Sequence, residues 1–98
     1  MGSTIQLTLV KHLYPASEYF HSVQAAIAVV QTSQPKTPFT LEMFNEKGKL
    51  MFREKNMTDA TGKQGIYIPW RQAEGKYRVV VTNVDGDYAE GWFEVIER

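Results

Sequence analysis

The chain has 98 residues, with 11 lysines and arginines balanced by 11 aspartates and glutamates, and no cysteine. That is the size of one domain. Zero formal charge excludes the basic surplus a dedicated nucleic-acid binder sets against phosphates, and the polybasic stretch of a membrane-surface protein; the missing cysteine excludes disulfides, zinc-thiolate sites and cysteine nucleophiles.

In chain order, Met1-Gly2-Ser3 reads as an initiator followed by cloning residues, which leaves 4–98 as a single domain. No secretory signal is visible at this end, and no apolar run approaches the roughly 18 residues a membrane span needs. Ile5, Leu7 and Leu9 alternate with polar Gln6 and Thr8, the pattern of a half-buried strand, and Pro15 follows. Residues 17–31 fit two patterns. Ser17 suits a helix cap, with Tyr19, Val23, Ile27 and Val30 near one face, while the β-branched Val23, Ile27, Val29 and Val30 suit a central strand. Strand is the favoured reading because every other segment has a period of two. Phe39, Leu41 and Met43 form the next alternation, and Asn45-Glu46-Lys47-Gly48 reads as a hairpin turn. Asp59 to Gly65 breaks the chain again before Ile66-Tyr67-Ile68. Glu74-Gly75 precedes Tyr77, Val79 and Val81, and Asp85-Gly86-Asp87 precedes the last strand. Seven strands at roughly 8–12-residue spacing predict an all-β antiparallel sandwich.

The C-terminal half carries a recognisable order. Thr58-Asp59-Ala60-Thr61-Gly62 leads to Ile66-Tyr67-Ile68-Pro69, then Glu74-Gly75-Lys76-Tyr77-Arg78-Val79-Val80-Val81, then Trp92-Phe93-Glu94-Val95. With Phe39 to Phe44 upstream, this order resembles macroglobulin-type immunoglobulin-like modules and, more loosely, Cna B-type modules. The resemblance implies an immunoglobulin-like β-sandwich that spaces or binds within a larger extracellular or cell-surface protein. Its partners would be neighbouring domains of the same chain or another protein. The balanced charge and the short apolar runs predict no nucleic-acid partner and no direct membrane insertion. Cna B-type modules often crosslink a lysine to an asparagine or aspartate through a buried glutamate. Lys11 suits the first role, but the glutamate position is Val81, so no such bond is expected.

The last hairpin has two registers. A two-residue loop at Asp85-Gly86 pairs Val79 with Trp92 and turns Glu90 and Glu94 inward. A three- or five-residue loop pairs Val79 with Phe93, Tyr77 with Val95, Arg78 with Glu94 and Val80 with Trp92, which buries the apolar set and matches opposite charges. The second is expected. A three-residue loop at Glu46-Lys47-Gly48 likewise pairs Phe44 with Leu50 and Glu42 with Phe52. One sheet would then show Phe44, Leu50, Phe52, Val80, Trp92 and Ile96 outward, and a patch of that kind marks an interaction surface. The rival is another register that buries Leu50 and Phe52. The candidate interaction residues are Trp92, Val80, Phe44 and Phe52, with Arg78 and Glu94 as a polar flank.

Other constellations point elsewhere. Trp70, Trp92, Tyr67 and Tyr88 would make a sugar-stacking platform if coplanar, so a carbohydrate-binding module is one alternative. A protease inhibitor presenting Lys55 to Gly65 is another. Asp85, Asp87 and Glu90 lack the EF-hand spacing and read as turn chemistry, with calcium near Asp85 and Asp87 left open. His12 and His21, with Glu18 near the latter, fall short of a zinc set. Asn56-Met57-Thr58 fits the glycosylation acceptor pattern. No nucleophile elbow, P-loop or dinucleotide fingerprint occurs, so no enzyme, cofactor or metal is expected.

Overall fold

The computed structural model describes residues 4–17, 20–68 and 73–96, over 12–17 and 20–26 as backbone alone. Seven strands form: β1 (Ile5–Ser17), β2 (Phe20–Thr32), β3 (Pro38–Asn45), β4 (Leu50–Met57), β5 (Lys63–Tyr67), β6 (Gly75–Asn83) and β7 (Tyr88–Val95). They make two antiparallel sheets, ordered β1-β2-β5 and β4-β3-β6-β7. Of the segment with two readings, residues 20–31 belong to strand β2. It lies between β1 and β5, with Ala28 and Val30 buried and Ile27 and Val29 on the other face.

Strict alternation builds the core. Ile5, Ala28, Val30, Ile66 and Ile68 come from the three-stranded sheet, or from just past its end, and face Phe39, Leu41, Met43, Val79, Val81, Phe93 and Val95 of the four-stranded one. Gly91 lets the sheets approach, since a Cβ there would lie 2.9 Å from Leu9 Cδ1. Tyr77 is buried as expected. Its ring stacks on Phe93 at 5.2 Å, its hydroxyl donates to Ala73 O at 2.6 Å, and burial, then Glu46, push its pKa up.

One turn recurs three times. Asn45, Asp59 and Asn83 each begin an Asx-x-x-Gly-x stretch whose side-chain Oδ1 accepts backbone N–H groups two and four residues on. Gly48, Gly62 and Gly86 then take φ of 82°, 80° and 87°, which L-residues rarely adopt. This turn corrects the expected last-hairpin register. The glycine must be third in the loop, so Val84-Asp85-Gly86 turns and Asn83 N–H donates to Asp87 O at 3.0 Å. Tyr77 therefore pairs with Phe93, Val79 with Gly91, Val80 with Glu90 and Arg78 with Trp92, two residues away from the expected partners but with every side chain on its expected face. Phe44 does pair with Leu50. A bulge at Met51 then breaks the expected register, so Phe52 stands opposite Met43 and packs against the core instead of facing outward, and Glu42 faces Arg53.

Both crossings between the sheets that involve β2, β3, β4 and β5 pass a buried trio, Thr32, Thr37 and Thr58. Thr37 N–H donates to Thr58 Oγ1 at 2.8 Å, and Thr32 Oγ1 donates to Gln34 O at 2.6 Å. The Thr32 proton is thereby committed, so in the 2.9 Å contact between the two hydroxyls Thr58 is the donor. Thr32 N–H also donates to Gly62 O at 2.8 Å.

A Cβ at Gly62 would sit 2.6 Å from Thr32 O, whereas Gly86 has open space around it. Gly86→Ala should cost about 1 kcal/mol, the left-handed backbone term alone. Gly62→Ala should cost about 3 kcal/mol or more in urea unfolding, because strain and clash add. Equal losses would remove the clash from the account. The Asp59 carboxyl is held below its usual range, first by the Thr61 hydroxyl and then by the Lys63 and Thr61 N–H groups. Its contribution is present above the ordinary value of 3.8 and is lost as pH falls through the lowered one. Asp59→Asn keeps the turn, as Asn45 and Asn83 do, and should flatten the acid limb of stability measured by thermal melts below pH 3.8.

Candidate functional site

The outer face of the four-stranded sheet collects most of the residues the sequence pointed to. Cross-strand pairing sets them in rows. The first runs Leu50–Phe44–Arg78–Trp92, the second Arg53–Glu42–Val80–Glu90, the third Lys55–Thr40–Thr82–Tyr88. Trp92 is 54% exposed and Leu50 43%, while Phe44 and Val80 are half-buried between them. The Arg78 guanidinium lies 5.2 Å over the Phe44 ring and reaches Glu90 at 3.6 Å. Arg53 stands 3.8 Å from Glu42. These exposed ion pairs contribute no more than about 1 kcal/mol each, and the one to Glu90 helps to keep the Arg78 guanidinium over Phe44.

Of the expected set, Trp92, Val80, Phe44, Arg78 and Glu94 lie on this face and Phe52 does not. Arg78 does not pair with Glu94; the shifted register gives it Glu90, and Glu94 stands opposite Lys76. Glu90 groups by sequence with the acidic turn residues, although the alternation that faces Trp92 outward also faces Glu90 outward. The groove beside the tryptophan leaves no mark in the sequence. That groove, of ≈ 510 Å³, is lined by Lys11, Lys76, Trp92, Phe93 and Glu94. Lys11 is known to be near Trp92 only once β1 is laid against β7.

The structure disperses the other constellations. Tyr67 is 80% exposed on β5 and points away from buried Ile66 and Ile68, on the opposite side of the sandwich from Trp92. Tyr88 is two rows from Trp92 with Glu90 between, so these rings form no common platform. Lys55 to Gly65 is not a projecting loop: its ends lie in β4 and β5, Thr58 and Gly62 are buried, and the rest is the Asp59 turn. Asp85 and Asp87 flank the Gly86 turn, and their N–H groups serve Asn83. Val81, at the crosslinking glutamate position, is fully buried in the core. Among the described residues no three histidine, aspartate or glutamate side chains gather around a common point. Residues 1–3, Glu18, Trp70 and the side chains of His12 and His21 lie outside the described residues.

No protein-family model matches the chain. No curated protein matches it either. Among solved structures, it is similar to the crystal structure of a DUF3244 family protein with an immunoglobulin-like β-sandwich fold from Bacteroides vulgatus, at 12% identity and a TM-score of 0.52, over 95% of this chain and 98% of that one. The fold is therefore an immunoglobulin-like β-sandwich.

Proposed function

We propose that the chain is a non-enzymatic immunoglobulin-like module that spaces or binds within a larger extracellular or cell-surface protein, and that it docks on neighbouring domains through the outer face of its four-stranded sheet. The observation that carries this reading is the first row of that face. A tryptophan and a leucine stand half-exposed at its ends, and between them an arginine guanidinium lies 5.2 Å over a phenylalanine ring. Aromatic residues and arginine are the residue types enriched at binding hot spots, because each offers a large, semi-rigid contact area. The resemblance of the C-terminal motifs to macroglobulin-type and Cna B-type modules supports the extracellular part of the proposal. Such modules act by packing, the kind of contact that a row of leucine, phenylalanine, arginine and tryptophan offers.

Two measurements test the proposal. An immunoblot of source cells and culture medium reads the mass of the natural polypeptide. A product much larger than 11.2 kDa, at the surface or in the medium, supports the module reading, and a free intracellular product of 11.2 kDa sinks it. In the natural polypeptide, Trp92→Ala should leave the melting temperature of this domain within about 2 °C, because the ring is on the face and not in the core. The same substitution should weaken docking of the adjacent domain about tenfold or more. A large loss of stability would instead make Trp92 a packing residue.

A further inference from the structure

The four-stranded sheet ends on two open edges, β4 and β7, and every row of its outer face terminates at both. The ends of the rows match in chemistry. Leu50 ends the first row on one side and Trp92 on the other, both half-exposed. Arg53 and Glu90 end the second, and Lys55 and Tyr88 the third. A row that continued into another copy of the same sheet would meet an apolar partner, an opposite charge, and an aromatic ring for a lysine.

The backbone agrees with this continuation. Strand directions alternate from β4 through β3 and β6 to β7, so β4 of a copy laid beside β7 runs antiparallel to it. Asn83 N–H donates to Asp87 O. Hydrogen-bonded and non-bonded pairs alternate from there, so Tyr88, Glu90, Trp92 and Glu94 aim their N–H and C=O groups away from β6. Thr58 N–H donates to Thr37 O, and the same alternation aims Arg53, Lys55 and Met57 away from β3. The register that continues the rows therefore brings outward-pointing backbone groups face to face.

We infer that copies of this chain associate edge to edge, β7 of one against β4 of the next, with Glu90 facing Arg53 of the second copy and Trp92 facing its Leu50. The ladder forms along Arg53 to Lys55, opposite Glu90 to Tyr88, on the straight part of β4 beyond the Met51 bulge. Charge favours this arrangement over two-fold alternatives. Pairing β7 with itself about Trp92 sets Glu90 against Glu94 twice, and pairing β4 with itself about Glu54 sets Arg53 against Lys55 twice; the two-folds about Gly91 and Asn56 oppose no like charges but set Glu90 against Trp92 and Lys55 against Met57, so they forgo the match of Glu90 with Arg53. The β7 strand itself carries no lysine, proline or bulge, whereas β4 carries the Met51 bulge together with Arg53 and Lys55, and Lys11 lines the groove beside Trp92, so the stretch free to pair is short. Zero net charge leaves no long-range repulsion between copies. The contact is heterologous, so it propagates head to tail instead of closing at a dimer.

Sedimentation velocity over a concentration series of the purified chain reads the association, which should be reversible and weaken with added salt. Arg53→Glu and Glu90→Arg each set like charges across the edge, and each should weaken association about tenfold or more. An equimolar mixture of the two variants should restore it, because each changed edge then meets an unlike charge on the other variant, and the double variant should associate alone. Circular dichroism checks that both variants fold, and rescue in the mixture cannot come from unfolded chains. A wild-type chain that stays monomeric at millimolar concentration overturns the inference, as does a mixture no more associated than either variant. The pairing uses the sheet's edges and stands whether or not its face docks a neighbouring domain; Trp92→Ala touches both, whereas rescue by charge exchange reads the edges alone.

Discussion

Among the described residues the two sheets share no ladder, so side-chain packing and the chain crossings fix how they stack. The hydroxyl chain from Thr37 N–H through Thr58 and Thr32 to Gln34 O is the polar tie at one end of that stack. Thr32 belongs to the three-stranded sheet; Thr37 and Thr58 lead into β3 and out of β4 in the other. The two links to the Thr58 hydroxyl are buried, so the loss of either leaves a desolvated donor or acceptor, a cost of about 1–3 kcal/mol. The hydroxyls also run in one direction, each donating to the next, which strengthens every member. Above this tie the core needs only alternating apolar side chains of suitable size, and the rows of the outer face inherit their alignment from it.

The three Asx-x-x-Gly turns supply the complementary local constraint. Each satisfies its own backbone through one side chain and places one glycine at positive φ, so each sets strand register without help from the core. At Asn83 this decides that Arg78 meets Trp92 and reaches Glu90, and thereby composes the first row of the face. Turn chemistry a few residues long thus determines which charged groups neighbour the exposed tryptophan.

Alternation was legible throughout. It identified the strands and the inward or outward sense of Tyr77, Val79, Phe93 and Trp92, because a period of two survives any even shift of register. The register itself was not legible from matching apolar and charged partners, since Val79 opposite Gly91 looks poorer than Val79 opposite Phe93. It was legible from the glycine, whose position in the loop admits one closing pair. Phe52 escaped because a bulge leaves no mark in a hydrophobic pattern, and one extra residue reverses every face beyond it. The aromatic platform failed for another reason. Tyr67 and Trp92 are both exposed strand residues, and only the strand order reveals that they belong to opposite sides of the sandwich.

The Thr58 hydroxyl bears on time as well as on stability. It completes the Asn56-Met57-Thr58 triplet, yet in the folded domain it is spent between Thr37 and Thr32, while the Asn56 amide donates to Glu54 at 3.0 Å. An enzyme that must read that threonine meets it only on a nascent chain, before the two sheets close over it. Sugar at Asn56 would then be a record of how slowly the domain folded, written once and no longer writable after the first complete closure.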